Sequence, residues 1–171
     1  ADAAWSHSDG WADRNQREAK TLALSWLDQI SENLSHTLAL EYQDEDSERP
    51  YWGTPAYRED GHLRVLDSTR TSNYNVADGH YGQQVLWARS LLEWQVLERT
   101  QLRNTLYHYD ALRDYRNVES YRVTPDRQGV IRSSALLQRH VQQLFGDRIE
   151  RSHDGTLATL PTHWSLGIDV R

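Results

Sequence analysis

Apolar residues recur at four-residue steps in the first quarter of the chain. Leu22, Trp26, Ile30, Leu34, Leu38 and Tyr42 keep this spacing, and Ala19, Ala23 and Leu27 widen the stripe. Such a stripe is one face of an amphipathic helix. Asp13 followed by Gln16 reads as a capping box at its start. The pattern predicts one long helix over residues 11–42. A second block, 83–117, carries Val85, Ala88, Leu92, Val96, Leu102, Leu106 and Tyr109 on one face, broadened by Trp87, Leu91 and Trp94. Neither Gly nor Pro interrupts it. Unbroken, it would be about 52 Å long, against a radius of gyration of about 15 Å for a compact chain of this size. Two such helices predict an elongated antiparallel pair, or a break near residues 108–111.

The rest of the chain reads differently. Acids crowd residues 43–48, as in a solvated loop. Asp60-Gly61 signals a two-residue hairpin turn, and residues 68–80 are an irregular polar loop. Residues 118–123 and 130–131 are extended around a turn at 125–129. Ser133 or Ser134 then caps a short helix bearing Leu137, Val141, Leu144 and Phe145, which Gly146 closes. Asp154-Gly155 marks a second hairpin. Trp164, Leu166, Ile168 and Val170 alternate with His163, Ser165, Gly167 and Asp169, as in a strand with one wet face. The expected fold class is α+β in a single domain, 1–171. Two long amphipathic N-terminal helices occupy about 11–117, with a hairpin and loop at about 50–80. A small antiparallel sheet and one short C-terminal helix fill about 118–171.

Composition narrows the function. No apolar run among the 171 residues approaches the roughly 20 that a membrane helix needs, so the membrane is expected only through a removed leader or anchor. Seven Trp and nine Tyr argue against disorder. Cys is absent, which removes disulfides, thiolate nucleophiles and Cys-based metal sites. With no Met and a start at Ala1-Asp2-Ala3-Ala4, the chain suits the region after a signal-peptide cut or an anchor. A periplasmic or otherwise extracytoplasmic location is expected, with a cytoplasmic one as the alternative. Of the 19 basic residues only Lys20 is lysine. The arginines are interleaved with acids in a chain of net charge −6, so no nucleic-acid partner is expected.

Catalytic spacing is lacking. The chain has no His-Glu-x-x-His and no Gly-x-Ser-x-Gly. His108 and Asp110 would point apart on a helix. His163 and Asp169 would lie about 20 Å apart on a strand. Gly79-His80-Tyr81-Gly82 lacks the lysine of a phosphate loop. No metal, cofactor or catalytic residue is assigned. The candidate partner-binding surface is the aromatic segment Tyr51, Trp52 and Tyr57 with Asn73, Tyr74 and His80 of the following loop, because rigid aromatics and adaptable amides make recognition surfaces. The expected function is a non-enzymatic binding or assembly module of the cell envelope, such as the periplasmic domain of a sensor or of a secretion or pilus machine. Its partner would be a protein or a small ligand, and the long helices could support an oligomer. The alternatives are a small hydrolase using His and carboxylates, and an Arg-rich nucleic-acid-binding protein.

Overall fold

The computed structural model describes every residue except Trp52, and at Ser68 the backbone alone. It overturns the α+β expectation. Three quarters of the chain (75%) is strand and no α-helix is present among the described residues. The strands are β1 (Asp2–Ser8), β2 (Arg17–Ser31), β3 (Leu34–Glu48), β4 (Ala56–Glu59), β5 (His62–Val65), β6 (His80–Leu97), β7 (Thr100–Val123), β8 (Val130–Leu157) and β9 (Leu160–Val170). Seven of them form one antiparallel sheet in the order β1-β2-β3-β6-β7-β8-β9. Apart from the β4–β5 hairpin inserted between β3 and β6, neighbours in sequence are neighbours in the sheet.

The predicted helix over 11–42 is β2 and β3 folded back at Glu32-Asn33. A four-residue step is also two strand repeats, so Leu22, Trp26 and Ile30 share a face in either structure. Leu24 and Leu40 decide between them. They fall at two-residue offsets, which a helix would turn away and a strand keeps in line. The predicted helix over 83–117 is β6 and β7, folded back at Glu98-Arg99, where Leu86, Ala88, Ser90, Leu92 and Trp94 alternate in the same manner. The short helix expected after Ser133 is the middle of β8, and Gly146 lies inside that strand rather than at a cap. The second hairpin turn is Ala158-Thr159 instead of Asp154-Gly155. Both residues have positive φ, 45° and 75°, as a two-residue hairpin turn of this hand requires. The Asp60-Gly61 hairpin forms where it was expected, joining β4 to β5 with φ of 49° and 78°.

The connections differ at the two ends of the sheet. At one end β2–β3, β6–β7 and β8–β9 are joined by two residues each. At the other end the links are long: 9–16, 49–79 and 124–129. The strands are long too, reaching 28 residues in β8, where soluble proteins typically use 3–10.

Among the described residues no second layer covers the sheet. The chain exposes 12097 Å², whereas a compact monomer of 20.0 kDa would expose about 8,700 Å². The buried apolar residues are Ala12, Tyr51, Tyr115 and Val118, all beneath or beside the long-loop end. Most large apolar side chains of the sheet are open, with Trp26 71%, Phe145 65% and Ile168 69% exposed.

Candidate functional site: a two-faced sheet with a capped rim

Strand register sorts the side chains onto two faces. One face carries Leu22, Leu24 and Trp26 of β2 against Leu38, Leu40 and Tyr42 of β3. It continues through Leu86, Ala88, Leu92 and Trp94 of β6. Beyond β7 and β8 it ends on Trp164, Leu166, Ile168 and Val170 of β9. On β3 this band runs from Leu34 to Tyr42, about 27 Å along the strand, and is broken by His36, which lies 2.8 Å from the Ser90 hydroxyl of β6. Towards the long-loop end it stops at charged residues: Lys20 of β2 lies opposite Asp44, and Glu18 opposite Asp46. Aromatics stand at its borders, Trp5 and Tyr42 by this charged rim, Trp94 and Trp164 towards the short turns. The Trp5 indole donates to Glu18 at 3.2 Å. Over β7 and β8 polar groups interrupt the band. There Asn104 donates to Asp147 and Gln143 donates to Asp110, so each carboxylate has an amide partner.

The other face is polar and charge-balanced. Arg17 pairs with Glu45 at 2.7 Å, Arg89 with Glu41 at 2.5 Å, and Arg103 with Glu93 at 2.7 Å. Arg148 pairs with Glu150 at 2.7 Å and Arg171 with Asp169 at 3.0 Å. Between these tracks stand Trp87, Tyr107, Tyr109 and Tyr115. Tyr107 donates to Asp169 at 2.9 Å. The hydrogen bonds from Arg171 and Tyr107 hold the Asp169 carboxyl below its ordinary range.

The long connection 49–79 is folded down on the rim by a buried polar knot. Arg49 donates to the carbonyls of Val76, Asn73 and Asn75 at 3.0, 2.9 and 2.7 Å. Asn75, 1% exposed, donates to the Pro50 carbonyl at 2.7 Å and accepts from the backbone of Val76 and Val118 at 2.8 and 3.0 Å. Val118 lies beyond the last residue of β7 that pairs with β6, so this amide covers an otherwise open strand edge. Beside the knot Tyr51 packs on Trp11 and Tyr121, with ring centres 5.1 and 5.4 Å apart. Burial pushes the phenols of Tyr51 and Tyr121 up to about 12.

Of the described residues singled out from sequence, Tyr51, Asn73 and Tyr74 lie in the long connection, while Tyr57 and His80 sit on β4 and β6. Tyr51, Asn73 and Tyr74 belong to the knot, and the Asn73 side chain donates to the Arg49 carbonyl at 2.8 Å. Tyr57 is on β4, with the Arg127 guanidinium 4.9 Å from its ring centre. His80 begins β6 on the apolar-band side, 3.7 Å from Asp46. Trp52 lies outside the described residues. His108 and Asp110, expected to diverge on a helix, share a strand face instead. His163 pairs with Asp154 at 2.7 Å across β8 and β9, a contact that depends on strand register. Among the described residues no group of three or more His, Cys, Asp or Glu is placed to hold a metal ion. The two faces escaped the sequence reading because the two-residue alternation that creates them was absorbed into a helical period.

No protein-family model matches the chain, and no curated protein matches it significantly.

Proposed function

We propose that this sheet is part of the wall of a β-barrel that crosses a lipid bilayer in the cell envelope. The apolar band faces lipid and the charge-balanced face lines a water-filled interior. The observation that carries the reading is the sidedness of a sheet with no covering layer among the described residues: one face mainly apolar over β2, β3, β6 and β9 for about one bilayer thickness, the other carrying the ion pairs. Short turns at one end and long loops at the other fit the same architecture, as do aromatics at the borders of the band. Among the described residues no helix is long and apolar enough to cross a membrane, but strands cross with about 9–11 alternating residues, which hydropathy windows pass over.

Topology adds a constraint. Successive strands alternate in direction, so β1 and β9 run parallel to each other at the two open edges. Backbone groups on an open edge cannot stay unpaired in hydrocarbon. The two edges therefore close on further strands, supplied by other copies of this chain or by a partner, to an even total in an antiparallel barrel. The test is reconstitution into vesicles of brominated lipid. Trp5, Trp26, Trp94 and Trp164 face the band, so strong quenching of tryptophan emission is expected. Emission equal to that in unbrominated vesicles would contradict the proposal.

A further inference from the structure

The geometry points to a binding site for an uncharged polyhydroxylated ring, a sugar, on the polar face at Tyr107; the inference rests on that face lining a water-filled interior. A concavity of about 760 Å³ lies there, with Tyr107 and Trp87 among its walls and Arg89, Arg148, Asp169 and Arg171 around them. Tyr107 is a platform. Its ring lies against Gly146, where an added Cβ would meet the Tyr107 Cζ at 2.3 Å. Glycine at 146 leaves the room that the ring occupies, and Tyr107 lines the concavity. The phenol's bond to Asp169 fixes the ring in its plane. An apolar ring face bordered by directional donors and acceptors is the environment that the C–H face and hydroxyl rim of a sugar require, because stacking uses the one and hydrogen bonds the other.

The charges select against an ion. Four arginines surround the concavity, but each already holds a carboxylate at 2.5–3.0 Å. A free anion would meet Glu150 and Asp169, which line the concavity with the arginines, and a free cation the guanidiniums. Adjacent hydroxyls of a neutral sugar can donate to the carboxylate and accept from the arginine of one pair without separating them. The arginines are more than half exposed, Arg148 52% and Arg171 65%, and their carboxylates partly so, Glu150 26% and Asp169 30%, so a ligand can reach both members of each pair.

Isothermal titration of the vesicle-reconstituted chain with maltotriose, and separately with sodium sulfate, tests this. Maltotriose should bind, and sulfate should not. Tyr107→Leu should weaken maltotriose binding by about tenfold or more, while Tyr107→Phe, which keeps the platform, should stay within about threefold of the parent. If Tyr107→Leu does not fold, Asp169→Asn supplies the second arm, with an expected loss of about fivefold. No maltotriose binding up to about 20 mM, tighter binding of sulfate, or full binding by the folded Tyr107→Leu or Asp169→Asn variant would overturn the assignment. Brominated-lipid quenching of the same samples separates the two readings. A chain that is quenched but binds no sugar rejects the site alone; an unquenched chain rejects the membrane wall beneath it.

Discussion

Leu38→Arg is expected to destabilise the vesicle-embedded chain by about 2–4 kcal/mol, the cost of arginine on a lipid-facing strand near the bilayer midplane. Leu38 lies midway along the apolar band of β3, opposite Trp26 and Ser90, and is 51% exposed. Its neighbour Thr37 faces the polar side, so Thr37→Arg should change stability by no more than about 0.5 kcal/mol. Urea unfolding from vesicles, followed by tryptophan emission, measures both. The contrast between adjacent residues matters more than either value. A water-exposed sheet would tolerate both substitutions. Equal effects at positions 37 and 38 would remove the assignment of the two faces.

Asn75→Ala is expected to release the long connection from the rim. The substitution strands the Pro50 carbonyl and the backbone N–H groups of Val76 and Val118 in a site that is 1% exposed at Asn75. A buried group left without its partner costs about 1–3 kcal/mol. Relaxation and entering water recover part of the sum, so an overall loss of about 2–4 kcal/mol is expected. The loss should be local. The long strands do not depend on the knot, so far-UV circular dichroism should keep its β signature while residues 49–79 become open to protease. Protease resistance equal to the parent's would show that Arg49 and the aromatic contacts of Tyr51 hold the connection without Asn75.

Local chemistry was legible in the sequence where a turn demands particular residues. Asp60-Gly61 forms its hairpin because those residues accept positive φ, and residues 124–129 turn where Pro125 and Gly129 interrupt the alternation. Strand identity was not legible in β2, β3, β6 and β7, because leucine and alanine suit helices and the apolar spacing of four is common to both periods. The tight turns that would have broken the helical reading carry no Gly or Pro: Glu32-Asn33 and Glu98-Arg99 look like ordinary helix-surface residues. Burial misled as well. Apolar stripes on a pair of helices imply a core between them, whereas Leu22, Leu24 and Trp26 face outward from a single layer. The knot around Arg49 joins residues about 25 positions apart, and the ion-pair tracks of the polar face span neighbouring strands. Neither leaves a local motif to read.

The most direct test of the membrane-wall account is a single-cysteine scan along β3, which the absence of native cysteine makes clean. Each of residues 34–42 would be replaced in turn, the chain reconstituted into vesicles, and a cysteine-linked fluorophore exposed to a lipid-soluble or a water-soluble quencher. The account predicts strict two-residue alternation. Positions 34, 36, 38, 40 and 42 should be quenched from the lipid, and 35, 37, 39 and 41 from the water. Quenching from water at all nine positions, or alternation with a helical period, would contradict it.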